Sequence, residues 1–430
     1  MTNFKEYPMI KWAKDLFPIC RSLTGLGTLK TINYFKKIHP DFNIIKFKTG
    51  QKVFDWKIPK EWNILDGYIK HESGKKFASF KKNNLHVVGY SIPININIDK
   101  KKLLKNIYTI KEKPNLIPYI TSYYEKKWGF CISEKEKKSL PAGKYKAYIN
   151  STLKNGEMNI GELVIKGTLK KEIFFSSYIC HPSMANNELS GPVVLNAIIK
   201  YVKKIKKPKY TYRFVVLPET IGSIAYISKN LKNLKRNVFA GFNLSCVGDD
   251  RAYSIVSSRN ENTISDYALE AALIGKKNYK KYSYLDRGSD ERQYCAPGVD
   301  LPLATFCRTK FGEYYEYHTS ADNFDVVNSK GLQGSFNVIK NIIDSFEIGL
   351  KPKNKIICEP FMQNKKLYPK FSKKEDYKTI NSRMNTMNVL FYADGKNTIF
   401  DICKIVDRSL ESVLNELVVL KDNKLIKLSD

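Results

Sequence analysis

Two of the five histidines in this chain sit in settings that suit metal chemistry. His181 lies in the segment Tyr178-Ile179-Cys180-His181-Pro182-Ser183-Met184-Ala185-Asn186-Asn187-Glu188-Leu189-Ser190-Gly191. The apolar run Glu172–Ile179 before it reads as a buried strand. The imidazole is therefore delivered at a strand's carboxyl end, with a polar loop after it and a helix starting near Leu189. A neutral imidazole with a nearby carboxylate is a donor set that zinc accepts. Taken alone, Glu188 equally suits the first turn of the following helix, where negative charge is favoured. His318 lies in Tyr314-Tyr315-Glu316-Tyr317-His318-Thr319-Ser320-Ala321-Asp322-Asn323. By itself it also reads as a packed or surface histidine among tyrosines. His39, His71 and His86 have no such surroundings and read as surface or packing residues.

Two further clusters supply acids. In Val215-Val216-Leu217-Pro218-Glu219-Thr220-Ile221-Gly222-Ser223 another apolar strand ends in a carboxylate at a helix start. Glu219 has the chemistry of a general base that takes a proton from water beside a metal; a charge partner for the helix is the alternative. Asp286-Arg287-Gly288-Ser289-Asp290-Glu291-Arg292-Gln293-Tyr294 is dense in charge and precedes a short strand, Leu303–Cys307. It reads as a substrate-facing loop or as a solvated turn with internal ion pairs.

The elements that must position these residues follow a regular alternation. After the Glu172–Ile179 strand come a helix over Leu189–Val202, a strand over Tyr212–Leu217, a helix over Ile221–Leu234 and a strand over Asn237–Val247. Strand and helix in turn predict an α/β fold, a mainly parallel sheet covered by helices. In such sheets ligand-binding residues gather in loops at the strands' carboxyl ends, which is where the clusters fall. Tyr7 to Ile45 reads as a helical opening, with Arg21–Gly27 as a loop inside it. Residues 51–153 change texture to short strands broken by Pro, Gly and Lys-rich turns, a small β-rich module. The main domain is thus expected over 1–50 and 154–350. Lys351–Lys378 reads as a linker. Residues 380–430 carry helix, helix, turn and strand, the pattern of a winged helix.

Composition narrows the partners. The net charge is +31, nearly all from lysine spread over the whole length. Runs such as Lys100–Lys102, Lys135–Lys138 and Lys203–Lys209 fall in polar stretches, so the charge reads as a solvated lysine-rich surface and not as a nucleic-acid face. The tail helix Ser409–Leu420 carries Glu411 and Glu416, which favours a protein-packing role for it. No C-x-x-C pair occurs among the eight cysteines, and most of them lie in apolar runs, as expected of reduced buried thiols. No apolar stretch of signal-peptide or membrane-spanning length is present, so a cytoplasmic protein without a membrane partner is expected.

Taken together, the phrases CHPSMANNELSG, LPETIGS, CVGDDRAYS, GSDERQY and YHTSADN resemble the co-catalytic zinc aminopeptidases. The likeness is strongest to bacterial aminopeptidase-like proteins with a protease-associated-type insert and a winged-helix tail, and it spans nearly the whole chain. It implies the zinc aminopeptidase (phosphorylase/hydrolase-like) fold, a zinc site and hydrolysis of an amide bond. The chain also departs from the family pattern. Asn187 stands where the family has a zinc-bridging Asp, Thr220 replaces the second of two adjacent Glu residues, and Ser245 replaces an Asp at the end of the third strand. These departures favour one zinc over two.

The expectation is therefore a mononuclear zinc hydrolase of a peptide or N-acyl amide. Its metal ligands are His181, Glu188 and His318, its base is Glu219, and Asp290, Glu291 and Tyr317 face the substrate. Asn187, Asp249, Asp250, Asp290 and Glu291 are further ligand candidates. Two other classes stay open: an inactive binding or regulatory protein on the same fold, and an amidase or cyclase acting on a sugar or peptide-like metabolite. A homo-oligomer is also left open.

Overall fold

The computed structural model describes residues 7–361 and 377–429. Its centre is an eight-stranded sheet. The strands are β1 (Asn43–Lys48), β2 (Glu157–Ile165), β3 (Glu172–Tyr178), β4 (Thr211–Leu217), β5 (Val238–Leu244), β6 (Tyr253–Val256), β7 (Tyr279–Tyr282) and β8 (Leu303–Cys307). Their order is β1-β2-β4-β3-β5-β8-β6-β7. The central four, β4, β3, β5 and β8, run parallel. Antiparallel pairs flank them. The expected mainly parallel sheet is thus present, with a mixed margin.

Helices cover both faces. α1 (Met9–Leu16), α2 (Leu26–Ile38), α3 (Ser190–Val202), α4 (Ile221–Asn237), α5 (Ile264–Leu273) and α6 (Ser329–Ile348) form the layers. Side chains of β3 alternate between the faces, as a strand requires. Phe175 packs with Phe214 and Phe242 under α1, α3, α5 and α6, whereas Phe174 joins Val215, Leu217 and the α4 residues Ile224 and Tyr226. Gly191 lets the first turn of α3 lie on the sheet. A Cβ there would stand 2.2 Å from Ser177 Oγ and 2.4 Å from the Leu244 carbonyl oxygen, distances that no other residue tolerates without a shift.

The β-rich module is inserted between β1 and β2. Strands Glu61–His71, Lys76–Phe77, Ile94–Asp99 and Lys144–Lys154 form its antiparallel sheet, over a core that includes Ile69, Leu103, Phe130 and Ala147. One segment of the module returns to the main domain. Ile117 and Ser320 bond to each other through main chain and side chain, and Pro118 pairs with Thr319. This strap crosses the carboxyl end of the central sheet.

The tail holds α7 (Tyr377–Tyr392), α8 (Ile399–Ile405) and α9 (Leu410–Asp422). Strand Lys351–Asn354 pairs antiparallel with Ile426–Ser429. The winged helix therefore takes in residues that the sequence reading assigned to a linker; of that linker, 362–376 lie outside the described residues. Leu390, Phe400, Leu410 and Leu417 merge with the core of the main domain. α9 lies against α5 and α6, and α8 lies against α5. Among the described residues no helix is long and apolar enough to cross a membrane.

Candidate metal centre

Four loops at the sheet's carboxyl end surround one spot. Each holds a non-glycine residue with positive φ: Ser183 (47°), Thr220 (64°), Cys246 (52°) and His318 (55°). Such backbone is costly and persists where the surroundings enforce it, as at functional sites. His181 follows β3, and Ile179 N still pairs with Leu217 O beyond the strand's end. A π-turn over Ala185–Leu189 then leads into α3. The carboxylate of Asp322 accepts from the N–H groups of Asn186 (2.5 Å) and Asn187 (3.0 Å) and fixes the turn's entry. All five residues of this turn are buried.

The two imidazoles expected to converge do so. Their ring centroids are 5.4 Å apart. Tyr317 stacks on His318 at 3.9 Å. Tyr119, on the strap, packs against both rings, at 4.9 Å from His181 and 5.1 Å from His318. Its N–H donates to the His318 carbonyl at 2.9 Å. Burial pushes both imidazoles down to about 3, with Arg21 as the second cause for His181 and His181 as the second cause for His318. Both rings are thus neutral at pH 7, the state a metal needs.

The carboxylates divide between the two nitrogens of His181. Glu188 Oε2 lies 2.8 Å from Nδ1. Glu219 Oε2 lies 3.9 Å from Nε2. The expectation made Glu188 a metal ligand; the geometry holds it on Nδ1, beside the buried Arg21 guanidinium, whose Nε is 3.5 Å from Glu188 Oε1. Burial raises the Glu188 carboxyl to about 8, and Arg21 opposes the rise. Glu219 is raised well above its ordinary value, first by burial and then by the Asp290 carboxylate.

The residues around the two rings include buried polar atoms without partners. His318 Nε2 and Asn187 Oδ1 are both of this kind. Two neutral imidazoles and an amide oxygen are donors of the kind that zinc accepts, and they leave the Glu219 carboxylate free to act as a base. On the Nδ1 side of the His181 ring, Cys180 Sγ lies 3.4 Å from Nδ1, and Cys180, His181 and Glu188 bring ligand atoms within 4.8 Å of one another, a second group among the described residues that could hold an ion. Where the sequence departs from an all-acidic set, the residues satisfy one another: Asn187 Nδ2 donates to Tyr178 Oη at 2.7 Å, and Tyr178 Oη and Ser245 Oγ are 2.7 Å apart. Thr220 donates its N–H to Asp290 Oδ1 and accepts from Arg292.

The remaining expected residues have other settings. Tyr317 reaches the centre through its stack on His318. Asp290 is buried, with Oδ1 bonded to Thr220 N and Ser223 Oγ. Glu291 is buried and accepts from the N–H groups of Gly288 and Ser289 and from Thr305 Oγ1. These two buried acids brace the loop behind Glu219, where a substrate-facing role was expected; both oxygens of Glu291 are bonded within the loop and β8, whereas Asp290 Oδ2 has no partner. Asp249 holds Thr309 and Arg251 N, and Asp250 pairs with Lys330. His39, His71 and His86 are packed elsewhere.

Sequence reasoning missed Arg21, Tyr119 and Tyr123. Arg21 had a signal: it is the sole arginine in the first 212 residues of a chain that otherwise uses lysine there. The two tyrosines lie in the insert and had none. Tyr123 and Tyr124, with Leu23, Trp56, Cys180 and Ile221, line an apolar cavity of about 240 Å³ that opens onto Glu219. Larger clefts of about 510 and 450 Å³ lie between the winged helix and the main domain, away from the histidines.

Residues 10–349 match the family described as Domain of unknown function (DUF4910), and residues 351–428 match a winged helix-turn-helix family. A Clostridium acetobutylicum protein is 38% identical over 395 residues, 90% of this chain and 89% of its own. It is provisionally named a polysaccharide biosynthesis protein with aminopeptidase-like domain. A crystal structure from the same organism, provisionally described as a peptidase, superposes with a TM-score of 0.86 at 35% identity, over 98% of this chain and 96% of that one. At the level of fold alone, a zinc aminopeptidase from Bacillus subtilis matches with a TM-score of 0.58 at 14% identity, over 78% and 92% of the two chains. A Peptidase M28 precursor from Shewanella amazonensis matches with a TM-score of 0.54 at 12% identity, over 77% and 91%.

Proposed function

Because the chain belongs to the family described as Domain of unknown function (DUF4910), on an aminopeptidase-like fold joined to a winged helix, we propose that it is a zinc-dependent amide hydrolase with one metal. The observation that carries this reading is the pair of buried neutral imidazoles at 5.4 Å, one of them with an unpartnered Nε2. His181 and His318 would hold the ion, with the Asn187 amide oxygen as a further neutral donor. Zinc at such a site acidifies water and polarises a carbonyl.

The chain's own residues do the rest. Glu219 accepts a proton from the attacking water as its oxygen bonds to the amide carbon. As the C–N bond breaks, Glu219 returns that proton to the leaving nitrogen, so the amine departs neutral. The raised affinity of Glu219 for protons suits the second half of that task, the return of the proton to the leaving nitrogen. Tyr119 and Tyr317 wall the imidazoles. The cavity beside Glu219 offers apolar surface and few hydrogen-bonding groups, so it suits an apolar group on a peptide or N-acyl substrate.

A second reading, an amide on a precursor of polysaccharide, is favoured by the name of the Clostridium acetobutylicum relative. One experiment tests both. The purified protein is assayed for metal and then screened, zinc-loaded, against aminoacyl amides and N-acyl amino sugars. About one zinc per chain and turnover of either class supports the proposal. Absence of bound zinc after loading refutes it.

A further inference from the structure

Arg21 is fully buried, and a buried guanidinium is expensive unless its donors are used. Its Nη1 donates to the Leu16 carbonyl at 2.6 Å and its Nε donates to the carbonyl of His181 at 3.1 Å. The same Nε stands 3.5 Å from Glu188 Oε1. The other oxygen of Glu188 takes the 2.8 Å contact to His181 Nδ1. One cation thus holds His181 twice, by its main chain and, through Glu188, by its ring. The three residues come from separate places: the loop between α1 and α2, the end of β3, and the π-turn before α3. Nη2 and Glu188 Oε1 have no hydrogen-bond partner, so the guanidinium works through Nη1 and Nε, two separated nitrogens that a single ammonium cannot supply to the Leu16 and His181 carbonyls together.

We propose that Arg21 and Glu188 are positioning residues that fix His181 as the Nδ1–H tautomer and present Nε2 to the centre. The proposal rests on the mononuclear zinc reading. In it Glu188 serves the imidazole and does not bind the ion. A carboxylate on the far nitrogen of a metal-binding histidine orients the ring and raises its basicity, and loss of such a partner lowers metal affinity by about 10–100-fold. Arg21 has a second duty. It stands 3.5 Å from Glu188 Oε1 and holds that side chain in place, so that Oε2 faces His181 Nδ1.

The test uses the full chain and two readouts. The first is zinc affinity, by competition with a chromophoric chelator. Glu188→Leu is expected to weaken binding by about 10–100-fold. Glu188→Gln, whose amide oxygen still accepts from Nδ1–H, is expected to recover most of that loss. Arg21→Met is expected to weaken binding in the wild-type background and to add little in the Glu188→Leu background, since it acts through that residue. The second readout is the tautomer of His181 in the metal-free protein, from long-range nitrogen spectra of histidine-labelled samples, assigned with His181→Gln. The proposal requires Nδ1–H in the wild type and a mixed population in Arg21→Met; melting of each metal-free variant identifies any that fails to fold, and the wild-type tautomer decides even if Arg21→Met does.

Wild-type protein that shows the tautomer and binds no zinc sinks the metal reading and leaves the clamp standing. Zinc binding that is equal in all folded variants, or a wild-type His181 protonated at Nε2, overturns the clamp. A Glu188→Gln variant as weak as Glu188→Leu also overturns it, because that pattern belongs to a direct carboxylate ligand.

Discussion

Glu219→Gln separates the base from the metal ligands. In the metal-free protein the Glu219 carboxyl is held well above its ordinary 4.5, by burial and then by Asp290. The unfolded chain releases this proton near 4.5 and the folded chain keeps it. Stability is therefore lost as pH rises above 4.5, by about 1.4 kcal/mol per unit until the folded value is passed. Glutamine is neutral at every pH and escapes the penalty. At pH 6.0 the variant should be more stable than the wild type, by no more than about 2 kcal/mol. The side chain is 21% exposed to the cavity, so this is an upper figure. At pH 4.5 the two proteins should unfold alike. Denaturant unfolding of metal-free samples at the two pH values measures the difference. Zinc affinity should change by no more than about threefold, while turnover falls by about 10²–10⁴. A variant no more stable at pH 6.0 than at 4.5, relative to wild type, refutes the buried-acid argument. A large loss of zinc makes Glu219 a ligand and removes it as the base.

Other outcomes follow from the same geometry. The folded His318 value of about 3 lies below the unfolded 6.5, so its contribution is complete above pH 6.5 and is lost as pH falls. Relative to His318→Asn, the metal-free wild type should lose about 2 kcal/mol between pH 6.5 and 5.0, measured by denaturant unfolding; a constant gap would contradict a neutral buried ring. Gly191→Ala should cost about 3 kcal/mol, since the Leu244 carbonyl cannot yield to a Cβ 2.4 Å away; an unchanged unfolding midpoint would show that α3 shifts freely. The winged helix packs its α9 on α5 and α6 and carries Glu411 and Glu416, so the full chain should bind duplex DNA weakly and without sequence preference in a salt series. Tight binding to particular sequences would assign the tail a different role.

Much of this arrangement was legible in the residues. The strand–helix alternation from Glu172 onward is a local pattern, and local patterns survive folding. The ends of β3, β4 and β5 carried polar clusters after apolar runs, so the carboxyl edge of the sheet could be read as the site. The partner of each side chain could not. Glu188 is seven residues from His181, and only the π-turn decides that its carboxylate meets Nδ1. Asp290 and Glu291 look exposed in a charged loop, yet Thr220, Ser223 and Thr305 draw them inward. Tyr119 reaches the histidines from a module whose sequence shows only short strands and lysine-rich turns. The strand Lys351–Asn354 holds proline and lysine, and it is a strand because Ile426–Ser429 pairs with it.

The central claim is that His181 and His318 share one cation. The most direct measurement is an anomalous-difference map at the zinc edge from crystals of the zinc-loaded protein. The account predicts one peak per chain, within about 2.0–2.1 Å of a nitrogen from each ring, with Glu188 still on the far side of His181. A peak on Cys180 and Glu188, or none near His318, would contradict it.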